Sequence, residues 1–324
     1  MEVAIGECLD RLHYGDPVQR ENLTLVPLFF SVEVPVSYLL LEEALEQRVL
    51  QIGEVSEGGS VNEVLVRNRA EQPVLILDGE ELVGAKQNRM VNATVLIPAK
   101  SEVKVPVSCV ERGRWRYNAP EFQKAGVFGY ASLRMQKAAR VGRNLEAGEP
   151  FLADQGEIWA EIDRKQRAMD SRSDTDAIHD VYAHYEAKLH GLVGGLEPGA
   201  DQDGVAAFID GRFACLDLFA SAATLKAVWG KLVKSYAMDA LETAGRKEAN
   251  GQADFGGVLE LIRGCEYRVY PSVGQGTDIR LRGRGVVGAC LLDEGGLLHL
   301  TVFGIKGSES EARMARPSRR RFTL

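Results

Sequence analysis

Long apolar runs are missing from this 324-residue chain. The most apolar early stretch, LTLVPLFF, stops at Ser31 and Glu33, far short of the ~20 residues a membrane helix needs. The first residues, MEVAIGECLDRLHYGD, bring acids early and lack the apolar segment of a signal peptide. A cytoplasmic protein with no membrane association is therefore expected. Cysteine is scarce: Cys8, Cys109, Cys215, Cys265 and Cys290 are odd in number, scattered and never in a CxxC pair. That excludes a disulfide framework and a zinc ribbon. Basic charge is not in excess either. With a net charge of -7, no general attraction to nucleic acid or acidic lipid is expected. Internal repeats and low-complexity tracts are absent.

What is present suits a folded protein. The hydrophobic fraction is 45% and the charged fraction 26%, both ordinary for a globular chain. The length is comfortable for two cores. SYLLLEEALEQRVL (37–50) reads as a short helix with Ser37 as its cap. Thereafter the pattern has period two: 61–68, 73–77, 93–98 and 102–111 read as strands joined by short polar turns. Several strands at this spacing predict a β-sandwich or partly open barrel over residues 1–120. Residues 121–193 form a helical middle, with helices over 132–146, 157–169 and 173–192. GGLEPGADQDG (194–204) is the best linker. Beyond it, 205–210 and 212–219 predict a hairpin turning at Asp210-Gly211, followed by helices at 222–243 and 254–264 and then strands to Phe303. Residues 194–324 thus read as a second α+β unit with antiparallel strands and a basic, solvated tail. The fold class is α+β.

Several motifs lose their sharper meaning in context. GRGVVG (283–288) fits G-x-G-x-x-G, but a strand follows it rather than a helix, so its glycines suit a tight β turn better than a dinucleotide. His179, His184 and His190 lie five and six apart on one predicted helix, whereas ligands sharing a helix face lie three or four apart. They are expected at the surface, and no metal or cofactor is expected. The bases Arg134, Lys137, Arg140 and Arg143 wind around another helix and read as solvated charge.

LDGEELVGAKQNRMVN (77–92) is different. Asp78, Glu80 and Glu81 sit beside Lys86 and Arg89, with the amides of Gln87, Asn88 and Asn92, between two apolar strands. Asp78-Gly79 reads as a turn, and the chain beyond Gly84 as extended. In that conformation Lys86, Asn88, Met90 and Asn92 share a face. Such a set can hold a polar ligand, with Glu80 or Glu81 as a carboxylate base. It can equally be a network of acids paired with bases that ties down a loop. ERGRWRY (111–117) follows. Arg112 and Arg114 suit phosphate contacts and Trp115 offers a face to a base, or else the aromatics tuck into the domain. Cys109 lies in phase with Val103, Val105 and Val107, as a core cysteine does. The arginines after it open the alternative of a nucleophile.

The run from Val55 to Trp115, above all DGEELVGAKQNR and PVSCVERGRW, resembles the ADP-ribosylglycohydrolase and rhodanese-phosphatase-superfamily-associated protein domain family. LDLFASAATL and KLVKSYAMDAL resemble its C-terminal half, so the likeness covers most of the chain. It implies a link to nucleotide, ADP-ribose or phosphate-ester metabolism and brings no catalytic residues with it. The resulting expectation is a protein that binds, and is able to process, an ADP-ribose-like or phosphorylated nucleotide. Glu80, Glu81 and Cys109 are the candidate catalytic groups. Asp78, Lys86, Gln87, Asn88, Arg89, Asn92, Glu111, Arg112, Arg114 and Trp115 are the candidate ligand contacts. The alternative is a non-catalytic scaffold or regulatory module that docks a partner enzyme.

Overall fold

The computed structural model describes residues 2–30, 37–245, 253–294 and 296–305. The basic tail expected at 308–324 lies outside them. The chain opens with α1 (Glu2–Asp10), β1 (Leu12–Tyr14), β2 (Val18–Arg20) and β3 (Leu23–Phe30), followed by β4 (Leu39–Leu40) and α2 (Leu41–Glu46). Eight strands come next: β5 (Leu50–Glu54), β6 (Glu63–Asn68), β7 (Val74–Ile76), β8 (Glu80–Gly84), β9 (Arg89–Val91), β10 (Val95–Ile97), β11 (Ser101–Cys109) and β12 (Phe122–Phe128). The helical middle is α3 (Ala131–Glu146), α4 (Gln155–Ala168), α5 (Ile178–His184) and α6 (Glu186–Val193). The last part is β13 (Gly204–Ile209), β14 (Arg212–Phe219), α7 (Ala222–Thr243), α8 (Phe255–Arg263), β15 (Glu266–Pro271), β16 (Thr277–Gly283), β17 (Val286–Asp293) and β18 (Gly296–Gly304). The fold is α+β, as the pattern predicts.

Three sheets organise these elements. The largest is antiparallel, in the order β1-β3-β13-β14-β18-β17-β16-β15, with β2 on β3. It joins residues 12–30 to residues 204–304. A second runs β12-β8-β9-β11-β6-β5 and curls until β12 lies against β5, making a half-barrel. The third, β10-β7-β4, is small and contains one short parallel pair.

Alternation on the large sheet sorts its side chains between two cores. Val26, Leu28, Ala206, Phe208, Leu216 and Leu218 pack beneath α1 and α8. Leu25, Val205, Ala207, Cys215 and Phe219 face α3 and α7. A third core, including Ile52, Val64, Val66, Val105 and Val107, fills the half-barrel. Each fully buried Val, Leu or Ile contributes about 1.5–3 kcal/mol relative to an exposed one.

Local chemistry explains most element ends. Ser221 caps α7 by accepting from the Thr224 N–H, and Asp154 caps α4 through the Glu157 N–H. Asp210 and Gly211 both have positive φ, 52° and 74°, as a two-residue hairpin with right-handed twist requires. Gly285, at φ 78°, turns β16 into β17, so GRGVVG is a β turn.

Two predicted helices are revised. Leu39 and Leu40 are strand, paired with Val74 and Leu75. Only then does Glu43 accept the Leu40 N–H and start a two-turn helix, which ends at Arg48 with φ 58°. The single helix expected over 173–192 is two, broken at Tyr185, whose hydroxyl donates to the Met169 carbonyl. That tertiary anchor outweighs a periodicity that runs through the break. Among the described residues, no helix is long and apolar enough to cross a membrane.

Candidate functional site

The stretch 77–92 leaves the small sheet after β7, forms the β8–β9 hairpin and re-enters at β10. It is extended over Glu80–Gly84, earlier than expected. Residues 85–88, expected to continue a strand, form the hairpin turn, with Gly84 at φ 126° and Ala85 at φ 40°. A Cβ on Gly84 would lie 2.6 Å from the Glu121 carbonyl, so a side chain there would push β12 away. The polar residues of the stretch therefore project in several directions, into three clusters, the second and third joined through Gln87.

The first cluster is a seam between the small sheet, the large sheet and the helices. Asp78 pairs with Lys137 and lies 3.6 Å from Arg134 Nε. Arg134 makes two bonds to Asp217, at 3.1 and 2.6 Å. Tyr236 donates to the same carboxylate at 2.6 Å, and His299 Nε2 lies 3.0 Å from it. The other ring nitrogen, His299 Nδ1, is 2.7 Å from Thr94 Oγ1, which accepts the Asp78 N–H. All these groups are buried. Burial pushes the Asp217 carboxyl up, but Arg134 and His299 outweigh it and hold it well below the usual range. Burial lowers Lys137 to about 8 despite Asp78. Arg134 and Lys137 were expected to be solvated; they are buried because α3 packs over the seam, where Asp217 and Asp78 neutralise them. Gly79 is required here, since a Cβ would lie 2.7 Å from Arg134 Cδ. Glu80 turns the opposite way, accepts the Leu77 N–H at 2.8 Å and pairs with Lys231 of α7.

The second cluster is centred on Arg89, which is fully buried. It donates to Cys109 Sγ at 2.5 Å, to Gln87 at 2.9 Å and to the Ser60 carbonyl at 3.1 Å. Burial pushes the Cys109 thiol up to about 11, with Arg89 opposing. A protonated, buried thiol is poorly suited to nucleophilic attack. Gln155 clamps the Cys109 backbone through both its amide atoms, each at 2.8 Å. Asn92 accepts from Ser108 at 2.7 Å and donates to the Phe151 carbonyl.

The third cluster reaches the surface. Glu111 accepts the Asn88 N–H at 3.0 Å and a fork of bonds from Arg114. Arg114 also donates to Asn88 Oδ1 and to the carbonyls of Gly84 and Ala85. Burial raises Glu111, but Arg114 and the Asn88 amide outweigh it, and the net shift is downward. Asn88 Nδ2 meets Glu81 Oε1 at 3.4 Å, and His179 Nδ1 lies 3.5 Å from Glu81 Oε2. Burial raises the Glu81 carboxyl, and that carboxylate in turn raises His179.

Residues 110–121 form an irregular loop over the hairpin turn, so the strand predicted over 102–111 ends at Cys109. The loop is held by Gln87, whose amide donates to the Arg112 carbonyl, and by the Arg112 and Gly113 N–H groups on the Thr175 carbonyl. Trp115 and Tyr117 emerge from it 48% and 50% exposed. The Lys86 ammonium lies 5.9 and 5.2 Å from their ring centroids and donates to the Glu57 carbonyl. Arg112, with a side chain 53% exposed, lies over Trp159 and 3.8 Å from Asp163.

Of the candidate residues, the fold gathers Glu81, Lys86, Gln87, Asn88, Glu111, Arg112, Arg114 and Trp115 around this loop. Asp78 and Glu80 go to the interior, as do Arg89, Asn92 and Cys109. His179, expected as a surface histidine, and Tyr117, the second aromatic of ERGRWRY, join the site although neither was among the candidate site residues. The signal for His179 was faint, because its partner Glu81 lies far away in sequence. Among the described residues, no group of three or more His, Cys, Asp or Glu side chains is placed to hold a metal ion. A cleft of about 400 Å³ lies elsewhere, lined by Ser132, Arg164, Asp239 and Glu242 among others. Lys165 pairs with both of its acids from behind.

Comparison with curated proteins gave no match, and comparison with solved structures gave none either. A family model, however, matches residues 11–303, which takes in all three sheets and the loop site. On that match the chain belongs to the ARPP-1 family, described as the ARG and Rhodanese-Phosphatase-superfamily-associated Protein domain.

Proposed function

We propose that the protein binds a phosphorylated nucleotide of the ADP-ribose type on the outer face of the 110–118 loop. One observation carries this reading: two half-exposed aromatics, Trp115 and Tyr117, share one ammonium, that of Lys86. A base stacked on such a platform gains about 1–3 kcal/mol, and the adjacent cations Lys86 and Arg112 suit the phosphates. The paired acids beneath hold the loop in place and do not meet the ligand. The family description supports the choice of ligand when ARG is read as ADP-ribosylglycohydrolase. Titration of ADP-ribose should quench tryptophan fluorescence with saturation below millimolar concentration, and Trp115→Ala should abolish the response. The absence of binding at millimolar ligand would sink this reading.

A second reading has its own support. Val61 is 39% exposed two residues beyond Gly59, where a Cβ would lie 3.5 Å from Trp115, and Trp, Tyr and Arg are the residue types that dominate protein interfaces. On that reading the loop docks one of the associated enzymes. Loss of enzyme binding in Trp115→Ala, with no response to ADP-ribose in the parent protein, would favour it.

A further inference from the structure

We propose that His179 and Glu81 form a proton-transfer dyad, in which His179 Nε2 activates water to hydrolyse a phosphate linkage in a substrate held on the 110–118 loop. The inference rests on the ligand reading above and adds a reaction to it.

The geometry is that of a base backed by an orienting carboxylate. Glu81 lies in β8 with its side chain fully buried, and Oε2 accepts no hydrogen bond at normal distance. What it faces is His179 Nδ1, at 3.5 Å. A ring nitrogen facing a carboxylate carries the proton, which leaves the lone pair on the other nitrogen. The His179 side chain is 46% exposed, so its ring meets water. His299 offers the contrast: both of its nitrogens are committed in the interior, to Thr94 and Asp217.

The base stands beside the ligand loop. The Thr175 carbonyl, four residues before His179, accepts from both Arg112 and Gly113 at 2.8 Å. Arg112 and Trp115 are thereby fastened to the segment that starts α5. The other charged groups around the dyad are accounted for. Asp180 is held by Ser173 at 2.5 Å, and Glu111 is held by Arg114. Glu81 and Asp180 both favour the charged imidazole, which makes His179 a stronger base than a free histidine.

The reaction balances without a co-reactant other than water. Nε2 takes a proton from water while its oxygen attacks phosphorus. The P–O bond to the leaving group breaks, and the leaving oxygen departs with the electron pair. The imidazolium then returns its proton to that oxygen. Arg112 neutralises the charge that builds on the phosphoryl oxygens. Glu81, facing Nδ1, holds the ring.

The full chain is assayed with ADP-ribose and with bis(p-nitrophenyl) phosphate across pH. Turnover of both is expected, falling as pH drops through the His179 pKa. His179→Ala should lower kcat by about 100-fold or more, leave ADP-ribose affinity unchanged and regain activity with added imidazole. Glu81→Gln should move the acid limb of the profile to lower pH. Because Glu81 is buried, the surface variant His179→Gln carries the test if that protein does not fold. ADP-ribose binding without turnover of either substrate overturns the dyad and leaves the ligand reading standing. Absence of ADP-ribose binding overturns the ligand reading, and the aryl phosphate then decides the dyad alone. Turnover that survives His179→Ala also overturns it.

Discussion

At the seam, Asp78 and Asp217 face Lys137 and Arg134, and all four side chains are buried. At the loop, Glu81 and Glu111 face His179 and Arg114, and of these pairs the first reaches the surface, through His179. Inside, each charge has lost its hydration and is kept only by its partners, so the arrangement is rigid. Removing one partner strands the other. At the loop, Arg114 is nearly as buried as Glu111, and only His179 remains open to exchange a proton or contacts with what lies outside. The seam therefore joins the small sheet to the large one, while the loop leaves His179 open to solvent.

Breaking the seam tests this contrast most severely. Asp217→Ala leaves Arg134 without its main counter-charge in the interior and should cost about 3–5 kcal/mol, read as a lower midpoint in urea unfolding. Thr94→Val should cost about 1–3 kcal/mol, since it strips partners from His299 Nδ1 and the Asp78 N–H while keeping the side-chain volume. The smallest effect belongs to the loop. The folded pKa of His179 is raised by the Glu81 carboxylate. Its contribution to stability is therefore complete below the unfolded value, ~6.5, and is lost as pH rises through the folded value. The melting-temperature gap between the parent and His179→Gln should accordingly be widest at pH 5.5–6 and close with increasing pH. A gap that widens with pH would mean that the pair does not exist in solution.

Much of the architecture is legible from residue order. Composition and periodicity locate α3, α4 and α7, and Asp210-Gly211 locates the β13–β14 hairpin, because these features depend on neighbours within a few positions. The helix over 173–192 and the helical start at 37 were misjudged for the opposite reason. Tyr185 and Leu39 answer to partners distant in sequence, Met169 and Val74. The site divides the same way. DGEELVGAKQNR stands out as a polar stretch between apolar strands, yet nothing in it tells Asp78 and Arg89 from Glu81 and Lys86. Burial separates them, and burial is set by which helix covers which side of the hairpin.

By itself, the sequence determined an α+β chain without disulfides, the position of most strands and helices, and a polar stretch joined to an aromatic-basic loop. Its likeness to the family was also legible there. Tertiary structure alone decided which charges are locked inside, that Arg134 and Lys137 are core residues, and that His179 stands against Glu81. The reason is physical. Strand and helix patterns follow from local sterics and spacing, whereas the state of a charge depends on how much water and which counter-charges the rest of the chain leaves around it.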